Sequence, residues 1–240
     1  MTTRTSAALT GAVAATFAVL LACVVALGKL LELAERPDGS TAFDRSITSR
    51  VVAHRTDALT TLAKVLSTIG SQKLLTPVVL VIAALLLWCR RIELASLLVI
   101  VWGGAILLYS LAKQFVGRPR PPQDIWLAHA GGKAFPSGHA VQSLATFVVL
   151  ALVGSTMMRR PPWAPMLIAV VLALGVGWSR VYLGVHWTTD VLAGWLAAAA
   201  WTVVVVGLFA RSTPRVNEIE GDRHEASDRA LWTRARSRRS

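Results

Sequence analysis

The chain has 240 residues, 54% of them hydrophobic, and a mean hydropathy of +0.56. That apolar content exceeds what a soluble domain of this length carries and identifies an integral membrane protein. Of its 25 Lys and Arg, against 13 Asp and Glu, much falls in short turns and the C-terminal tail, a distribution that argues against nucleic acid as a partner.

Taken in chain order, apolar runs cover Ala7 to Gly28, Leu74 to Cys89, Leu94 to Ala112, Ala140 to Met158, Trp163 to Trp178 and Val191 to Ala210. A spanning helix needs roughly 17 to 25 residues, so the expectation is an all-α bundle of six transmembrane helices, the second and fifth short. The first run is longer than the apolar core of a secretory signal and reads as an uncleaved helix. Leu20-Leu21-Ala22-Cys23 resembles a lipoprotein cleavage box, but the apolar run continues past Cys23. Cys23 and Cys89 both lie in apolar surroundings, a placement that indicates neither a disulfide framework nor a metal site.

Between the first two spans, Ile47, Val51, Val52, Leu59, Leu62, Val65 and Leu66 recur near helical spacing among charged residues. This predicts an interfacial amphipathic helix over about 43–69, placed to guide a lipid headgroup or to fill a groove of the bundle. The motif-bearing core is expected over about 74–210, within a single domain of residues 1–210. Arg90-Arg91 and Arg159-Arg160 sit in tight turns, and the tail over 211–240 carries eight Arg among five acidic residues. The bias of basic residues toward the cytoplasm puts these turns, both termini and the tail inside, with the tail expected to be disordered or resting on anionic headgroups. Everything between the third and fourth spans, and between the fifth and sixth, then faces outward.

Those outward segments hold Lys113 and Arg120-Pro121, then Pro136-Ser137-Gly138-His139, then Ser179-Arg180 with His186 and Asp190. A phosphate ester needs fixed cations and N–H donors, which Lys113, Arg120 and Arg180 and a helix opened by Ser137 and Gly138 can supply. Any one Lys or Arg at a helix end more often snorkels to the interface; three beside two histidines point to a site. His186 and Asp190 at i and i+4 can share a helix face, the carboxylate orienting the ring and leaving its other nitrogen to attack phosphorus. His139 is then the proton donor to the leaving oxygen and the base for water. His129 and Lys133, in the loop over 122–135, are candidates for reading the headgroup or plain solvent-facing loop residues.

In these three segments, with their spacing, the chain resembles the type-2 phosphatidic acid phosphatase superfamily. The resemblance covers about Leu74 to Ala210 and leaves the first helix, the 43–69 segment and the tail without motifs. It implies a metal-independent lipid phosphatase without a cofactor, with His186 as nucleophile, His139 as acid/base, Asp190 as partner of His186, and Lys113, Arg120, Ser137, Gly138 and Arg180 as phosphate ligands. The same signature occurs in vanadium haloperoxidases and class A acid phosphatases, which are soluble, whereas this chain has six apolar runs. The expected function is hydrolysis of a lipid phosphate at the outer face of a bacterial plasma membrane. Polyprenyl (undecaprenyl or decaprenyl) diphosphate is the first substrate expected, with phosphatidate or phosphatidylglycerol phosphate as the alternative. A lipid-phosphate transporter or scaffold without hydrolysis is the reading of another class; it leaves the His186–Asp190 pairing without a purpose.

Overall fold

The computed structural model describes residues 2–34 and 39–212, so the tail expected to be disordered lies outside the described residues. The described residues form eight α-helices, α1 (Thr2–Ala34), α2 (Ala42–Ala53), α3 (Asp57–Ile69), α4 (Gln72–Trp88), α5 (Ile92–Phe115), α6 (Gly138–Met158), α7 (Trp163–Tyr182) and α8 (Thr188–Ser212). Between α5 and α6 runs a loop whose only regular turn is a 3-10 turn over Gln123–Ile125.

Five of these helices, α1 and α5 to α8, are long and apolar enough to cross a membrane. A sixth span requires two helices taken together. α4 has 17 residues, roughly 26 Å at 1.5 Å per residue, which falls short of a hydrocarbon core of about 30 Å. α3 and α4 together pass as one span bent by 41° at the break between them. Gly70 ends α3 and Ser71 caps α4 by accepting from the Leu74 N–H, so the bend sits where two capped ends meet.

The amphipathic segment therefore differs from the single helix expected over 43–69: it is two helices. His54 closes α2, and Thr56, extended at φ −135°, accepts from Leu59 N to open α3. The break is held from across the bundle. The Arg55 guanidinium donates to the Tyr182 carbonyl at 2.7 and 3.1 Å, and Thr56 N–H donates to the Tyr182 hydroxyl at 3.0 Å. α2 packs on α7 and α8 and α3 on α7, which makes the segment a wall of the bundle.

α6 packs against α4, α5, α7 and α8, while α1 lies at the periphery on α5 and α8. The core joins Leu98, Val101 and Leu108 of α5 to Val141 and Val149 of α6 and Trp201 of α8. Trp201 satisfies its indole N–H on the Val101 carbonyl at 3.0 Å, as buried tryptophans usually do. Outward-facing Leu80, Leu85, Leu107, Leu196 and Val203 stay exposed, a cost in water and none in lipid. Cys23 and Cys89 are free. Because α5 to α8 alternate in direction, the turns at Arg90-Arg91 and Arg159-Arg160 lie at one end of the bundle. The long α5–α6 loop and the α7–α8 turn lie together at the other.

Candidate active site

That second end gathers every residue of the three segments. Lys113 stands on the last turn of α5, and its ammonium donates to the carbonyls of Lys133 at 2.6 Å and Ala134 at 3.3 Å. Arg120 leaves the loop and fans out: Nε reaches Gly132 O at 3.0 Å, Nη2 reaches Gly131 O at 2.8 Å, and Nη1 reaches Val185 O at 2.6 Å. The same Nη1 lies 3.0 Å from His186 Nε2. A guanidinium can only donate, so Nε2 is the acceptor and the ring proton belongs on Nδ1. Nδ1 faces Asp190 Oδ2 at 3.4 Å.

The i, i+4 contact between His186 and Asp190 exists, but not as two residues on one helix face. α8 begins at Thr188, which leaves His186 in the turn before it. Asp190 reaches back from the first turn of α8, and its Oδ2 also accepts from the Trp187 N–H at 2.9 Å. The turn is tight because Gly184 has φ +74°, and a Cβ there would stand 2.4 Å from the Ile125 carbonyl oxygen. Leu127 N–H donates to Leu183 O at 2.9 Å, tying the turn to the α5–α6 loop.

Ser137 and Gly138 open α6 as expected, and Ser137 N–H donates to the Asp190 carbonyl at 3.0 Å. Ser137 occupies the N-cap position without making the side-chain cap. Its Oγ is buried with no protein partner, and so is Arg180 Nε. Buried polar groups are normally satisfied, so two such atoms at one end of a bundle suit an anion between them. Gly138 lies against the Tyr109 ring, where a Cβ would be 3.0 Å from the ring edge. Arg180, on the last turn of α7, donates through Nη1 to the Ser67 hydroxyl on α3. His139, Arg180 and Ser67 line one cavity of about 490 Å³.

Sequence reasoning missed what lies behind Asp190. Arg118 is fully buried: Nη1 donates to Asp190 Oδ1 at 2.6 Å and Thr189 Oγ1 at 2.7 Å, Nη2 to Asp44 Oδ2 at 2.7 Å, and Nε to Gly39 O at 3.0 Å. Asp44, on α2 and equally buried, also accepts from the Thr189 N–H at 2.9 Å and forms a capping box with Thr41. Arg118 thereby takes one oxygen of Asp190 and leaves the other to His186. Burial alone would push the Asp44 carboxyl up, but the hydrogen bonds from Thr189 and Thr41 and the charge of Arg118 hold it below the usual aspartate value. Arg118 stands inside the Lys113–Arg120 interval in Gly-Arg-Pro-Arg-Pro, the one signal that marked it; Asp44 looked like any charge on an amphipathic helix.

His186 is buried, and that burial, together with Arg120, Lys113, Arg180 and His139 around it, drives its pKa well below the ordinary histidine value. The ring is neutral at pH 7, with a lone pair on Nε2. This cluster can bind an anionic tetrahedral group and present an uncharged nitrogen to it.

Comparison with known proteins decides the family. The PAP2 superfamily model matches residues 93–214. The chain belongs to the PAP2 superfamily. Phosphatidylglycerophosphatase B of Bacillus subtilis is 31% identical over 157 residues, 63% of this chain and 75% of that protein. An undecaprenyl-diphosphatase of Sulfolobus acidocaldarius is 32% identical over 145 residues, 58% of this chain and 66% of that one. The crystal structure of a transmembrane PAP2 type phosphatidylglycerolphosphate phosphatase from Bacillus subtilis superposes with a TM-score of 0.71 at 26% identity, over 81% of this chain and 98% of that chain. As a PAP2 member with this helical bundle, the chain is a membrane lipid phosphatase.

Proposed function

We propose that the chain hydrolyses a lipid diphosphate or phosphate monoester through a phosphohistidine on His186. The contact between Arg120 Nη1 and His186 Nε2 at 3.0 Å carries this reading, because it aims the unprotonated ring nitrogen at a cation placed to hold a phosphate oxygen. When phosphate enters, Arg120 exchanges Nε2 for a phosphate oxygen, joined by Lys113, Arg180, Ser137 Oγ and the N–H groups of the α6 N-terminus. Nε2 attacks phosphorus in line. The P–N bond forms as the bond to the leaving oxygen breaks, and His139 gives that oxygen its proton. The positive charge on the phosphorylated ring is balanced by Asp190 at Nδ1. His139 then takes a proton from water, whose oxygen displaces Nε2 and releases phosphate.

Polyprenyl diphosphate is the first substrate, in keeping with the undecaprenyl-diphosphatase from Sulfolobus and one described as putative in Escherichia coli, 42% identical over 72 residues. Phosphatidylglycerol phosphate is the second, favoured by the Bacillus subtilis phosphatidylglycerophosphatase in both sequence and structure. The site faces outward, with both termini in the cytoplasm, on the bias of Arg90-Arg91, Arg159-Arg160 and the tail. Phosphate release from each lipid by purified protein in EDTA tests the activity. His186→Ala releasing phosphate at the wild-type rate refutes the nucleophile, and a membrane-impermeant thiol reagent labelling Arg160→Cys rather than His129→Cys in intact cells refutes the orientation.

A further inference from the structure

The cavity beside His139 reaches the bend between α3 and α4, where Ser71 and Lys73 form its wall, with His129 lining it from the α5–α6 loop. Both sides of that bend are fixed to the site. Before it, Ser67 accepts from Arg180; after it, Gln72 Oε1 accepts from the Tyr109 hydroxyl at 2.8 Å, and the Tyr109 ring packs on Gly138. Lys73 follows Gln72 directly, so its position relative to His139 is set by the same contacts. Among the described residues no carboxylate lines the cavity, which leaves its cations without an acidic partner on those walls.

The proposed chemistry gives the two sides of His139 different charges to handle. Lys113 and Arg120 are turned toward the carbonyls of residues 131–134 and toward His186, the side of the attacked phosphorus. The leaving group departs on the other side. From a monoester it is a neutral alcohol once His139 has protonated it. From a diphosphate it is a lipid monophosphate, whose non-bridging oxygens carry charge into the cavity as the bridging P–O bond breaks and the bridging oxygen takes the proton.

We propose that Lys73, supported by Ser71 and His129, is the subsite for the leaving phosphate of a lipid diphosphate and so determines the preference for diphosphates over monoesters. This rests on the diphosphate reading above. The test compares kcat/KM for farnesyl diphosphate and for phosphatidate in wild type, Lys73→Ala and Lys73→Arg, with full-length protein in detergent and EDTA. The diphosphate-to-monoester ratio falls about twofold to fivefold in Lys73→Ala, the size of a solvent-exposed ion pair, and recovers in Lys73→Arg. An unchanged or increased ratio in Lys73→Ala, with wild type cleaving both lipids, overturns the subsite alone. Wild type that cleaves phosphatidate and not the diphosphate overturns the diphosphate reading and the subsite with it.

Discussion

Removing Arg118 puts the whole arrangement behind His186 to the test. Arg118→Ala leaves Asp44 and Asp190 buried with no cation between them, where Arg118 now lies 2.7 Å from one and 2.6 Å from the other. Breaking a buried ion pair by deleting one partner typically costs about 3 to 5 kcal/mol, because a desolvated charge is left uncompensated. A chain of this size loses roughly 2 to 4 °C of melting temperature per kcal/mol, so the drop should be about 6 to 20 °C. Catalysis should suffer as well. With Oδ1 released, Asp190 can rotate or take up a proton, and Nδ1 of His186 loses a fixed acceptor. A loss in kcat of about a hundredfold is expected, short of the order of ten-thousandfold that follows when the orienting carboxylate of a Ser-His-Asp triad is neutralised. Arg118→Lys keeps the charge but cannot span Asp44, Thr189 and Asp190 together, and should fall between. Thermal unfolding in detergent and phosphate release on the same preparations read both quantities. Arg118→Ala melting within about 2 °C of wild type, with kcat within threefold, would refute a positioning role for this network.

Asp44→Asn keeps an acceptor for the Thr189 N–H and loses the charge opposite Arg118; about 2 to 3 kcal/mol of stability should go, read as a shifted denaturation midpoint, with a smaller effect on kcat than Arg118→Ala because Arg118 still holds Asp190. Gly184→Ala forces a left-handed residue against the Ile125 carbonyl and should cost more than about 2 kcal/mol, whereas Gly131→Ala, with open space around it, should be nearly silent. His186 should remain neutral well below pH 6.5 in a histidine NMR titration assigned with His186→Gln. The folded ring binds fewer protons than the unfolded one below about pH 6.5, so this group's contribution to stability declines as pH falls through that window. A His186 ring that titrates at or above its ordinary value would contradict the environment described.

Sequence alone determined the solvent and the class of activity. Apolar runs of spanning length are a local property, and the cost of an unpaired backbone in lipid forces such runs into helices. Lys113, Arg120, Ser137, Gly138, His139, Arg180, His186 and Asp190 were legible because their residue types and spacings carry the chemistry themselves, and all of them meet at one end of the bundle. The 43–69 segment was legible as amphipathic but not as two helices: its break depends on Arg55 and Thr56 finding Tyr182, more than 120 positions away. The same holds for the bent α3–α4 pair, whose bend is fixed by Ser67 on Arg180 and Gln72 on Tyr109. Asp44 shows the limit most plainly, since a carboxylate on an amphipathic helix has the same local pattern whether it faces water or a buried guanidinium. Only packing α2 against α8 brings it to Arg118, and burial of both charges then makes the pair strong enough to matter.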